Sequence, residues 1–340
     1  MYFNMNEWSQ EIINARDRRF LPVYYFPCVN PLGMKVVDTL KDCDGMPMAK
    51  VMKHVLDRHP SIIAAMTPMD LSVDSEAFGC KVKFSENDSP AIIEHVKITT
   101  IEEANALQIP DPFACRLGMQ YDAVAKASEM ITDKPIFGGQ LGPYSLAAKI
   151  INISDAMTMS IKNPEIMHVL LEKATKHLIN RALEFKKAGA NGVLLAEPTA
   201  GLLSPKMSKV FSSDYVKQIV DAVQDEGFFV ILHDCGRVTK MSKDMYETGC
   251  KGFHFGNIVD MAEICRSYPE DVLVMGNLDP SKVATLSSDE IRSLSDELLE
   301  ATKEFPHFVF STGCDLPVST PLENIDAMTE SLAAFNANNK

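Results

Sequence analysis

The stretch "GVLLAEPTAGLLSPKMSKVFSSDYVKQIVDAVQDEGFFVILHDCGRV", residues 192–238, decides the fold. It opens on an apolar run (192–197), passes through an amphipathic span (212–227) and closes on a second apolar run (228–234). Short apolar, long amphipathic, short apolar is the pattern of a strand, a crossover helix and a parallel strand. Six further runs read as strands: "LPVYYF" (21–26), "DLSVD" (70–74), "KPIFGG" (134–139), "GFHFG" (252–256), "VLVMGN" (272–277) and "FVFSTG" (308–313). Helical spans separate the later runs. In "NPEIMHVLLEKATKHLINRALEFKKAGA" (163–190), Asn163 suits an N-cap, Pro164 the first helical position and Gly189 the stop. Strand and helix alternating over eight strands predicts an α/β fold of the closed (β/α)8 TIM-barrel type. An open doubly wound sheet competes, but no Gly-x-Gly-x-x-Gly follows the first run.

The barrel accounts for the chain as one domain over 1–340, with an N-terminal helical extension (1–20). Residues 78–98 alternate apolar and polar residues around "ENDSP" and read as a β-hairpin inserted after the second strand. The chain is 46% hydrophobic and 23% charged, with a net charge of −13. That balance belongs to a folded globular chain, and with no block of basic residues it argues against nucleic-acid binding. No apolar run is long enough for a membrane span and the N-terminus lacks a signal-peptide layout, so a cytoplasmic location is expected. The eight cysteines are scattered, which suits reduced thiols rather than a disulfide framework.

Barrels of this kind carry their active sites at the C-terminal ends of the strands. Those ends bring Gln140, Glu197, Asn277 and Asp279 to the rim as candidate catalytic residues. The fifth run ends in His233-Asp234-Cys235, and Cys314 and Asp315 follow the last. On an extended chain positions i and i+2 share a face, so His233 and Cys235 point the same way. One imidazole and two thiolates make a good inner shell for Zn²⁺, and three protein ligands leave a fourth position open, as in catalytic zinc sites. Glu197 is a candidate for that position at rest. Cysteines at strand ends also serve as plain packing, and spacing alone leaves both readings standing. Cys28, Cys43, Cys80, Cys115, Cys250 and Cys265 read as structural.

"GGQLGPYSLAAKI" (138–150) resembles a segment of the uroporphyrinogen decarboxylase superfamily. "AEPTAGLLSP" (196–205), "HDCGRV" (233–238), "MGNLDP" (275–280) and "STGCDLPVSTPLENIDAM" (311–328) continue the likeness in the same order, from about residue 60 to the C-terminus. His-x-Cys with a distant Gly-Cys is similar to the zinc site of the corrinoid-dependent methyltransferases, among them the methylcobamide:coenzyme M enzymes. The resemblance implies His233, Cys235 and Cys314 as zinc ligands, with Glu197 a less secure addition. The decarboxylase branch carries an Arg-Gln-Ala-Gly-Arg segment after its first strand. The equivalent "YYFPCVNPLG" (24–33) here has no arginine.

The implied activity is methyl transfer from a methylcobamide, carried by a separate corrinoid protein, to a zinc-bound thiol such as coenzyme M. The resemblance also allows the donor-side alternative, in which a methoxylated aromatic or methylated amine gives its methyl group to a Co(I) corrinoid. Outside enzymes, a metal-binding or corrinoid-docking module is the alternative. Asp234, Asn277, Asp279 and Asp315 are candidates to orient His233. Arg237 is a candidate partner for a sulfonate, and "YYFPC" (24–28) with Phe255 for an apolar pocket. The small-molecule methyl donor or acceptor is unnamed by the sequence, and a homo-oligomer is left open.

Overall fold

The computed structural model describes residues 3–41 and 44–338; Cys43 lies outside them. Among the described residues there are nine strands: β1 (Ala65–Met66), β2 (Lys81–Ser85), β3 (Asp88–Glu94), β4 (Ile136–Leu141), β5 (Gly192–Ala196), β6 (Phe229–Asp234), β7 (Gly252–Phe255), β8 (Leu273–Leu278) and β9 (Phe308–Thr312). Seven of them form one parallel sheet in the order β1-β4-β5-β6-β7-β8-β9, while β2 and β3 pair alone as an antiparallel hairpin. The hairpin falls within the expected insertion. The curled sheet with helices around it is the α/β, TIM-barrel-like fold that the alternation predicts.

Two of the eight expected strands are placed differently. The run 21–26 forms no strand; the residue just before it, Phe20, bridges to both Phe310 and Ile62 and so closes the barrel between β9 and β1. Pro22 has no N–H to continue the ladder, and Phe26–Cys28 turns into a 3-10 helix. The run 70–74 is not a strand either. The paired residues are Ala65 and Met66, just before Thr67-Pro68. Asp70 instead accepts hydrogen bonds from the Ser72 backbone N–H and hydroxyl, and a short helix follows at Val73–Ala77.

Strand parity sorts the core into two layers. Phe137, Leu194, Ala196, Phe229, Ile231, Leu273, Met275 and Val309 share one cluster with Met5, Trp8, Ile12 and Ile13 of the helix Met5–Asn14. That cluster fills the barrel interior, and the N-terminal helix covers its bottom, with the Trp8 and Phe137 rings 5.9 Å apart. Alternate residues such as Val193, Leu195, Val230, Leu232 and Phe253 belong to the outer cluster between strands and helices.

A polar cluster ties that outer layer together. Arg181, fully buried on the helix Pro164–Lys187, donates to Asp74 at 2.6 Å and to Gln120. His177 meets the same Asp74 oxygen at 2.9 Å. Burial alone would raise the Asp74 pKa; the Arg181 guanidinium and His177 outweigh it and bring it to about 2. Removing one partner strands a buried charge, so Asp74→Asn is expected to cost about 3 kcal/mol by urea denaturation at neutral pH. A carboxyl depressed on folding contributes stability that is complete above its unfolded pKa of about 4 and is lost as pH falls toward 2. The variant should lack that part of the acid loss. Equal acid sensitivity in both proteins would remove Asp74 from this role.

Candidate metal centre

On β6, Phe229 and Ile231 face the barrel interior, so His233 does as well. Cys235 follows two residues on. On β9, Val309 faces inward, Ser311 has the same parity, and the chain then turns to Cys314. β6 and β9 are not neighbours, and two glycines let their exits meet. A Cβ on Gly256, after β7, would lie 2.5 Å from the Cys235 Cα; one on Gly313 would lie 2.7 Å from the Asn257 nitrogen. The turn after β7 is thus pressed between the two cysteine-bearing segments. Asn277 pins it, donating to the carbonyls of Gly256 at 3.0 Å and Val259 at 2.8 Å.

As a result, one ring nitrogen of His233 and the sulfurs of Cys235 and Cys314 lie within 4.8 Å of one another. A tetrahedral zinc ion with bonds of ~2.0–2.3 Å spaces its donors roughly 3.3–3.8 Å apart, within easy reach of this arrangement. No other group of three such donors occurs among the described residues. The contact with Cys314 and with His233 pulls the Cys235 thiol down to about 4. The same contact with Cys235, together with burial, pushes Cys314 up. Two thiolates so close would repel one another. A divalent cation relieves that repulsion and favours loss of the remaining proton. The residues present fit the ion.

Beneath the imidazole lies a chain of hydrogen bonds whose direction can be read. The Ser311 hydroxyl donates to the Leu21 carbonyl at 2.8 Å. Having spent its proton, Ser311 accepts from His254 Nε2 at 3.1 Å. Burial, then the neighbouring His233, pushes the His254 pKa well below the usual histidine range, so its ring is neutral. Its Nδ1 is therefore an acceptor, and His233 Nδ1 donates to it at 2.7 Å. His233 is left with its lone pair on Nε2, the form that ligates a metal. His254 and Ser311 lie within their strands and carry no motif of their own in the sequence. Parity was the available signal: Phe253 and Phe255 belong to the outer layer, which turns His254 inward.

The other rim candidates are placed as follows. Glu197 does not join the donor group. Ala196 faces inward, so Glu197 faces outward, where its carboxylate accepts from the backbone N–H groups of Tyr144 and Ser145 at 2.9 and 2.8 Å and from the Ser212 hydroxyl at 2.8 Å. It caps the helix Pro143–Ile151 and is buried, which raises its pKa. Gln140, expected as an exposed strand end, is buried and donates to the Leu178 carbonyl at 3.2 Å. Asp279 is a helix N-cap that accepts from Ser281 and Lys282. Asp234 accepts from the Gly236 N–H at 2.7 Å, and burial pushes its pKa well up. Phe255 packs outward against Tyr268 at 5.7 Å, and Arg237 is exposed.

Above the donors lies a cavity of about 540 Å³. His233, Cys235, Cys314 and Asp315 form its polar wall, and Val23, Phe26, Met69, Leu194 and Leu316 much of the apolar one. Phe26 is thus the part of "YYFPC" that reaches it. Asp88, Ser89 and Pro90 of the inserted hairpin close one side. Burial pushes the Asp315 carboxyl up to about 7. The remaining described cysteines are free, and burial pushes Cys28, Cys250 and Cys265 up to about 12. Cys265→Ala is therefore expected to leave zinc content within about 10% of the wild type, since an inert buried thiol holds no ion. A loss of zinc in that variant, read by metal analysis, would move the centre elsewhere.

Residues 33–335 match the uroporphyrinogen decarboxylase (URO-D) family. Among curated relatives, the methylcobamide:CoM methyltransferase MtbA of Methanosarcina acetivorans is 28% identical over 275 residues, covering 78% of each chain. A uroporphyrinogen decarboxylase of Coxiella burnetii is 25% identical over 327 residues, 93% of this chain and 89% of its own. Among solved structures, a methyltransferase from Methanosarcina mazei superposes with a TM-score of 0.85 at 22% identity, covering 98% of this chain and 99% of that one. A B12-independent methionine synthase from Shewanella shares the fold more loosely, at a TM-score of 0.56. The chain belongs to the uroporphyrinogen decarboxylase (URO-D) family.

Proposed function

We propose that the chain moves a methyl group between a corrinoid carrier and an acceptor sulfur held on zinc by His233, Cys235 and Cys314. The observation that carries this reading is the meeting of one imidazole nitrogen and two sulfurs at the floor of an apolar cavity on the C-terminal rim. Bound there, zinc supplies the Lewis acidity that keeps an acceptor thiol deprotonated near neutral pH, where a free thiol with a pKa near ~8.5 is mostly protonated. The protein's own contribution is positional. His254 and Ser311 present His233 Nε2, the tight turn after β7 holds Cys235 toward Cys314, and the apolar wall limits water around the reacting sulfur.

The methylcobamide would arrive on a separate corrinoid protein docking over the rim. Leu202 and Ile258, exposed on the loops after β5 and β7, offer apolar contact there. Among the described residues no helix is long and apolar enough to cross a membrane. We place the chain in the cytoplasm, where free thiols persist. One observation favours the donor-side direction: a cavity of about 540 Å³ exceeds the need of a two-carbon thiol and suits a methoxylated ring.

The test is methyl transfer from methylcobalamin to a thiol, followed by the cobalamin spectrum with and without a chelator. Chelator-sensitive formation of Co(I) cobalamin and methyl thioether supports the proposal. Methylation of Co(I) cobalamin by an aryl methyl ether, with none to the thiol, would reverse the direction. Zinc retention with transfer in neither direction would leave a binding module.

A further inference from the structure

Lining the same cavity as the sulfurs is a lysine that nothing above uses. Lys149 sits near the end of the helix Pro143–Ile151, and its carbonyl is held by His95 Nδ1 at 2.7 Å. It lines the cavity over the metal centre and also a second cavity of about 330 Å³, and the two share Leu71, Pro90 and Lys149 as a common wall. The side chain is half-buried, yet no salt bridge or hydrogen bond holds its Nζ among the described residues. The more deeply buried Arg116 and Arg181 are paired, with Asp70 and Glu76 and with Asp74. The anion nearest in influence, Asp70, is already committed to Arg116 and Ser72. A desolvated, unpaired ammonium is costly unless something brings it a counter-charge. Burial accordingly pushes the Lys149 pKa down, against the pull of Asp70.

We propose that Lys149 binds the anionic group of the small-molecule substrate, which is an organic carboxylate or sulfonate whose apolar carbon spans the cavity to the metal centre. The inference rests on the reading of that centre as the reaction site. Lys149 is the one lysine or arginine among the residues lining the cavity, whose hairpin side also carries the exposed Asp88, so it is the group that draws an anion there. Val23, Met69 and Leu194 line the cavity without charge, and Arg237 lies outside it on the surface.

The experiment compares two pairs of ligands on the zinc-loaded full chain by calorimetry: 2-mercaptoethanesulfonate against 2-mercaptoethanol, and 4-methoxybenzoate against 4-methoxybenzamide. The wild type should bind the anion about tenfold more tightly than its neutral partner in at least one pair, the scale of one charge-assisted contact. K149M should bring the anion down to the neutral ligand's affinity, and K149R should keep the preference. Both variants are read after circular dichroism confirms the wild-type fold. A preference unchanged in K149M, or no preference in the wild type for either pair, overturns the proposal. If no thiol binds but the benzoate still outbinds its amide through Lys149, the thiol reading above fails and this inference stands.

Discussion

Replacing Cys235 or Cys314 with alanine is expected to leave less than about a tenth of the wild-type zinc bound after dialysis, because two donors do not hold an ion that needs three. Methyl transfer should fall with it. The fold should survive. Both sulfurs are half-buried at the rim, outside the two hydrophobic clusters, and no backbone hydrogen bond of β6 or β9 depends on them. Thermal unfolding of the metal-free variants should therefore stay within a few degrees of the metal-free wild type, roughly the effect of 1 kcal/mol or less. Metal analysis after gel filtration checks the claim. Near-normal zinc in either variant would contradict the assignment of that cysteine.

The second large effect is expected at His254, which touches no substrate. His254→Leu removes the acceptor that holds His233 Nδ1–H, and His233 is then free to place its proton on either nitrogen. Zinc affinity, read by competition with a chromophoric chelator, should drop about 10–100-fold, the usual weight of a hydrogen bond behind a metal ligand. His254→Asn, which keeps an acceptor near the Nδ1 position, should recover most of the loss. Ser311→Ala should fall between, since His233 keeps His254 as its acceptor but His254 loses the partner that fixes its own tautomer. Imidazole nitrogen chemical shifts give a readout that general loosening would not produce: one His233 tautomer in the metal-free wild type and a mixture in the leucine variant. Equal zinc affinity in His254→Leu and the wild type would reduce His254 to core filling.

What the sequence made legible follows from periodicity and parity. β6 is a continuous apolar run, and the i, i+2 spacing on an extended chain was enough to read the shared direction of His233 and Cys235. The same parity, applied to every strand, would have turned Glu197 and Gln140 outward and His254 inward. A polar residue at a strand end faces the rim only where its parity matches that of the inward-facing residues. Other features had no local signal. The barrel closes at Phe20 through a one-residue bridge, too short for any alternation to register. The segment 70–74 is apolar at alternate positions, but Asp70 folds it into a turn through its own side chain. Lys149 reaches the cavity only because the hairpin, far from it in the fold's logic, packs over that helix. The meeting of Cys235 with Cys314 depends on two glycine contacts across a third strand exit, which spacing along the chain does not encode.

X-ray absorption at the zinc edge, before and after addition of an acceptor thiol, reads the donor set itself. One zinc per chain is expected, its shell containing two sulfurs and one imidazole nitrogen, with a third sulfur appearing when the thiol is added. A zinc shell without protein sulfur, or purified metal-free protein that transfers methyl groups at the full rate, would contradict it.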